Sequence, residues 1–213
     1  GRKPTMAPKN TVGASDSVGG KEGWNHIQGA FWRAGNVSPD FKHVEVTPRF
    51  AQEACQVIAD HNGKKPLFLY LALPSPHTPW LPTKEFIGKS EAGMYGDFTM
   101  LVDQVVGQVM ESLQKAGMTD DTLVFFSSDN GPVWYAKDTE RFGHRSVGPL
   151  RGIKASSWEG GHRVPFIAHW PDHVPAGSRT GHLVAFADLF ATFAALTGKP
   201  KVPQGAAEDS VSF

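Results

Sequence analysis

Apolar positions along the chain fall into alternating helical and strand-like patterns. Thr47-Pro48 reads as a helix start, with an N-cap hydroxyl and a proline in the first turn. Phe50, Ala54, Val57, Ile58 and His61 then recur at helical spacing, and Asn62-Gly63 reads as the stop. Residues 66–73, Pro-Leu-Phe-Leu-Tyr-Leu-Ala-Leu, are apolar without alternation, the pattern of a strand buried on both faces. A long helix is predicted over 95–116, with Phe98, Leu101, Val102, Val105, Val109 and Leu113 as its core stripe. A second buried strand is predicted over 122–128. A crossover from strand to helix to strand is right-handed and makes its strands parallel. A third strand fits 164–170, where Pro165 calls for a first-residue or edge position. A third helix fits 182–197, with Leu183, Phe186, Phe190, Phe193 and Thr197 on one face. The expected fold is α/β: an open, mainly parallel sheet flanked by helices.

Two regions lack periodicity. Residues 1–46 are punctuated by glycines with Trp24, Phe31 and Trp32 between them, which suits an arm or insertion packed on a domain. Residues 47–200 carry the α/β domain, and 201–213 read as a tail leading into a further region. The other aperiodic stretch, 131–163, holds six glycines with His144, Arg145, Arg151, Lys154, Glu159, His162 and Arg163. Loops of that length inside a compact domain are usually functional, or else contain elements that the pattern does not reveal.

Composition narrows the function. The 213 residues carry 21 Lys+Arg and 21 Asp+Glu, so no long-range positive field exists to attract nucleic acid or an anionic membrane. One cysteine, Cys55, excludes an internal disulfide framework and any Cys-rich metal site. No apolar run is long enough to span a bilayer.

Open α/β sheets place their sites beyond the carboxyl ends of the strands. Pro74-Ser-Pro-His77-Thr-Pro79 follows the first predicted strand, and Ser128-Asp129-Asn130-Gly131-Pro132 follows the second. Parallel strands would open His77 and Asp129 on one edge. Asp-Asn-Gly is also an ordinary turn signal, and His77 among prolines also suits a stiff surface turn. Yet an adjacent carboxylate and amide oxygen at a strand end are two donors for a hard cation. His144, His162, His169, His173 and His182 have no zinc-motif spacing, so structural or solvated roles are expected. Glu159 and Arg163 suit a local ion pair that fixes a turn.

Three segments in order, Leu69 to Pro79, Ser127-Ser-Asp-Asn-Gly-Pro132 and Leu150-Arg-Gly-Ile-Lys-Ala-Ser-Ser-Trp-Glu-Gly-Gly-His-Arg-Val-Pro165, resemble the sulfatase family of the alkaline-phosphatase superfamily. The resemblance covers roughly 42–200 and is to arylsulfatases. It implies that Asp129 and Asn130 form half of a divalent-metal site, usually calcium. It implies that Lys154 contacts the sulfate and its bridging oxygen, with His77 beside the leaving group. His144 and Arg145 are candidates for contact with an anionic substrate.

Sulfatases draw their formylglycine nucleophile from a Cys/Ser-x-Pro-x-Arg motif, and this sequence contains none. The paired aspartates of the family's metal site are also missing. The chain therefore reads as a middle-to-late segment, with the nucleophile and remaining metal ligands in an N-terminal part of the same protein. The implied activity is hydrolysis of a sulfated small molecule or carbohydrate. Hydrolysis of a phosphate or phosphonate ester, and an inactive anion-binding module, are the alternatives. Family habit implies a periplasmic, secreted or lysosomal setting.

Overall fold

The computed structural model describes residues 41–199, 203 and 205–213. Most of the arm expected over 1–46 lies outside them. Two compact units are present, one running through Val174 and the other comprising Pro175–Phe213.

The first unit begins with a 3-10 turn, His43–Glu45, that runs into helix α1, Val46–Ala59. Thr47 is thus inside the helix, where its buried hydroxyl pairs with that of Ser75 instead of capping. Thr47, Ala51, Ala54 and Ile58 form the buried face. Of the expected stripe Ala54 and Ile58 are thus buried, whereas Phe50 and Val57 are 39% and 42% exposed, so the helix is turned part of the way from it. Small side chains on the buried face let helix α2, Gly93–Lys115, approach closely. The Ser112 hydroxyl donates to the Cys55 carbonyl across the pair at 3.3 Å. The α2 stripe is as expected: Phe98, Leu101, Val102, Val105 and Leu113 are buried. Asp97, also buried, accepts the amides of Gly88 and Ser90 at 2.8 and 2.7 Å and so holds the preceding loop onto the helix.

The expected first strand is corrected. Residues 66–73 pair with no strand among the described residues. Phe68 and Tyr70 are 75% and 81% exposed. Among the described residues no neighbouring strand gives the run a ladder. The sheet is likewise not parallel here. Strand β1, Val124–Ser127, pairs antiparallel with β2, Phe166–His169, in the register Val124 to His169 and Ser127 to Phe166. Pro165 sits just before β2, as its missing amide requires, and its carbonyl accepts the Ser127 hydroxyl at 2.7 Å. The chain retains the α/β class.

Between the strands lie two helices that no periodicity announced, α3 (Ala136–Phe142) and α4 (Glu159–His162). The core of this part combines Trp80, Leu81, Met94, Phe98, Leu101 and Trp134. In the second unit, α5 covers Asp188–Leu196, shorter than the expected 182–197. Leu183, Phe186 and Phe190 are exposed, whereas Ala191 and Thr192 are buried, so the large apolar face is again not the covered one. Residues 210–213 lie along α5. The Asp188 carboxylate accepts the amides of Ala185 and Val211, and these bonds hold its carboxyl below the usual range. Among the described residues, no helix is long and apolar enough to cross a membrane.

Candidate functional site

The segment after β1 is held by backbone bonds to the segment around α4. The Gly131 amide donates to the Gly161 carbonyl at 2.9 Å, and the Lys154 amide to the Pro132 carbonyl at 2.9 Å. The Gly160 amide donates to the Arg151 carbonyl at 2.8 Å. Such proximity needs bare backbone. A Cβ on Gly131 would collide with the Gly160 carbonyl, one on Gly160 with the Gly152 carbonyl, and one on Gly161 with the Ser156 carbonyl. Gly152 adds a φ of +85°, which side chains rarely adopt. These glycines form a cradle in which three stretches of main chain touch. The cradle is what brings Lys154 onto the loop that carries Asp129 and Asn130.

Asp129 is exposed, while Asn130 and Lys154 are half-buried. The Asn130 side-chain nitrogen donates to the Gly131 carbonyl at 3.0 Å, and the Ser128 hydroxyl donates to the Asn130 carbonyl at 3.1 Å. With its nitrogen so engaged, the Asn130 amide keeps Oδ1 as an acceptor. One carboxylate and one amide oxygen suit a hard divalent cation, but supply only part of a shell of six to eight oxygens. No cluster of three or more His, Cys, Asp or Glu suited to a metal occurs among the described residues.

His77 is exposed on its own loop. Its Nδ1 donates to the Thr78 carbonyl at 2.8 Å, and its amide to the Pro74 carbonyl at 3.1 Å. A carbonyl only accepts, so Nδ1 carries a proton and Nε2 is left to exchange one. The bond between Thr47 and Ser75 ties this loop to α1. With no strand over 66–73 among the described residues, no parallel pair brings His77 to the sheet edge that carries Asp129.

His144 and Arg145 follow α3, both exposed. Gly143 ends the helix in the left-handed conformation at φ +63°. The buried Trp134 indole donates to the His144 carbonyl at 2.9 Å. Tyr95 lies against Trp134 with ring centroids 4.8 Å apart. Burial pushes its phenol up, with the Ser146 hydroxyl opposing. Neither Trp134 nor Tyr95 stood out in the sequence, where a tryptophan just past a strand end was the only signal.

The neighbouring charges are engaged locally. Arg163 pairs with Glu159 at 3.0 Å, the turn-fixing bridge expected from the sequence. The Arg151 guanidinium stacks 3.6 Å from the Trp158 ring centre. His173 stacks on Trp170 at 3.9 Å, a structural role. An open groove of about 620 Å³ lies elsewhere, between the end of α2 and His169 of β2, and none of the candidate residues lines it.

The comparisons with known proteins converge. The Sulfatase family model matches residues 16–199. N-acetylgalactosamine-6-O-sulfatase of Bacteroides thetaiotaomicron is 36% identical over 213 residues, covering 98% of this chain and 39% of that protein. Human N-acetylgalactosamine-6-sulfatase is 39% identical over 155 residues, covering 73% of this chain and 29% of that protein. A solved sulfatase structure from work on glycosaminoglycan metabolism by B. thetaiotaomicron superposes with a TM-score of 0.74 at 35% identity. That superposition covers 81% of this chain and 36% of the other. The chain thus spans about a third of the length of these relatives. With a family match over most of its length and a fold shared with a solved member, the chain belongs to the sulfatase family.

Proposed function

We propose that this chain is part of a sulfuric ester hydrolase that acts on a sulfated saccharide. The observation that carries the reading is the glycine cradle, which seats Lys154 on the Asp129–Asn130 loop through the bond from its amide to Pro132. Cleavage of a sulfate ester leaves negative charge on the departing oxygen. The Lys154 ammonium stabilises that oxygen and the sulfate, and His77 passes the proton to it through Nε2. Asp129 and Asn130 would hold a divalent cation, calcium by family likeness, together with ligands from elsewhere in the protein. When bound, that ion offsets charge on the sulfate oxygens. His144 and Arg145 contact the non-reacting part of the substrate.

The nucleophile is assigned to the rest of the protein, because no Cys/Ser-x-Pro-x-Arg motif occurs in these 213 residues. Residues 47–200 are proposed as catalytic-domain sequence, 1–46 as an insertion packed on it, and 201–213 as a connection to a further region. A saccharide is favoured because the two relatives named above are N-acetylgalactosamine-6-sulfatases. The family setting supports a periplasmic, secreted or lysosomal location.

The test is kinetic. The full protein should hydrolyse N-acetylgalactosamine 6-sulfate or an aryl sulfate, and chelation of calcium should suppress it. Lys154→Ala and His77→Ala should each lower kcat by about 10² or more. The 213-residue chain alone should show no turnover. Wild-type rates in both variants, or turnover by the chain alone, would overturn the assignment. Turnover of phosphate esters with none of sulfate esters would select the phosphoesterase alternative.

A further inference from the structure

We infer that Trp134 is a positioning residue for substrate recognition, fixing the His144–Arg145 segment relative to the loop that carries Asp129, Asn130 and the backbone partner of Lys154. The inference rests on the proposed role of His144 and Arg145 in holding the saccharide.

Trp134 is 4% exposed and lies two residues after Pro132. Its main chain therefore belongs to the loop that accepts the Lys154 amide. Its side chain reaches the other way. The indole N–H ends 2.9 Å from the His144 carbonyl, and its ring meets the His144 imidazole edge-on, with centroids 5.6 Å apart at 81°. Tyr95 at 4.8 Å and Phe142 at 5.8 Å hold the indole in place. A buried indole N–H is costly without an acceptor, so it marks where the His144 backbone must lie.

The other ties of the His144–Arg145 segment are weaker: the Tyr95 ring lies 6.5 Å from the His144 ring, and the backbone bonds are local. Behind it, the Gly143 amide bonds back to Thr139 within α3. Ahead of it, the Arg145 carbonyl accepts only from the local turn at Gly148. Both side chains are exposed. A loop that presents long polar side chains to a ligand loses conformational freedom on binding, and a backbone fixed beforehand lowers that cost. Trp134 is thus the link that sets the spacing between the saccharide-holding side chains and the sulfate-cleaving end. Interactions with a non-reacting part of a substrate act on the ground and transition states alike, so loss of the link should raise KM more than it lowers kcat.

The experiment uses the full protein with two substrates, a sulfated saccharide and a small aryl sulfate. Trp134→Phe keeps an aromatic ring but removes the N–H. The KM for the saccharide should rise about five- to tenfold, the scale of one lost hydrogen bond. The rise should exceed both the change in kcat and the change in KM for the aryl sulfate. In an Arg145→Ala, His144→Ala background, the same substitution should have little further effect on KM. Should Trp134→Phe fail to fold, benzothienylalanine placed at position 134 alone preserves the ring shape while replacing N–H by sulfur, and the same KM shift is expected. Equal losses with both substrates, a pure fall in kcat, or full additivity with the double alanine background would assign Trp134 a structural role only and overturn the inference. A wild-type protein that turns over neither substrate would overturn the sulfatase reading itself and the inference with it.

Discussion

Helix α2 and residues 66–73 are both rich in large apolar side chains, yet one carries the core and the other is half-buried at best among the described residues. The helix satisfies its own backbone hydrogen bonds, so it needs only a surface on which to lay its stripe, and α1 supplies one. The 66–73 run needs neighbours twice over. Its amides and carbonyls require a ladder, and each face requires a layer. No ladder is present among the described residues, and Tyr70 is 81% exposed. Hydrophobicity states a demand for burial. Whether nearby sequence meets it depends on the kind of element.

The contrast is tested most directly by truncating side chains. Phe98→Ala in α2 should cost about 3–5 kcal/mol of stability, as for buried aromatic truncations. Tyr70→Ala should stay within about 0.5 kcal/mol, because exposed positions lose little. Urea titration of the 213-residue chain measures both. A Tyr70→Ala loss near that of Phe98→Ala would show that the run is buried in solution.

Asp97 extends the comparison to polar groups in α2. Its buried carboxylate satisfies two loop amides. Asp97→Ala should cost about 2–3 kcal/mol through the loss of charge-assisted bonds, read by the same titration. A loss below about 0.5 kcal/mol would mean that water satisfies the Gly88 and Ser90 amides equally well.

Glycines separate the two kinds of packing by sign. Gly131→Ala meets the Gly160 carbonyl and should destabilise by about 1–3 kcal/mol, the cost of overpacking. Gly107→Ala, in the middle of α2 with open space around it, should stabilise by about 0.5–1 kcal/mol. Melting temperatures moving in the same direction would refute the cradle.

The smallest effect concerns His43. Burial holds its imidazole below the ordinary histidine range, so the folded state takes up a proton less readily than the unfolded chain. This penalty is absent well above pH 6.5 and grows as pH falls through and below it. His43→Gln should flatten the fall in melting temperature between about pH 7 and pH 5.5. A slope unchanged by the substitution would rule out His43 as a contributor.

Legibility followed the same division. Helix α2 could be read residue by residue, because its stripe is long and its partner lies in the chain. For α1 the stripe is legible in part: Ala54 and Ile58 are buried as expected, but Thr47 and Ala51, not the large Phe50 and Val57, complete the buried face. Short α3 and α4 offered too few turns to show a period. Of the candidate residues, Asp129, Asn130 and Lys154 are proposed from motif and order. The backbone bonds through Gly131 and Pro132 were not, because they join positions far apart in sequence. The six glycines of 131–163 were visible, but close backbone approach leaves no periodic trace. Trp134 had only its residue type to recommend it.

The cradle also bears on how the protein responds to heat. Asp129, Asn130 and Lys154 hang from main-chain stretches in direct contact, so their backbone anchors share thermal displacements instead of adding independent ones. Their spacing depends on amide bonds at Gly131 and Lys154, with no rotatable side chain between the strands of the cradle. The His144–Arg145 segment is tied by side chains, the Trp134 indole and the Tyr95 ring, with rotatable bonds between it and the same loop. On warming, the separation between the two halves of the proposed site should broaden before the spacing of Asp129, Asn130 and Lys154 changes. The protein should therefore lose discrimination among substrates at a lower temperature than it loses the capacity to cleave the simplest of them.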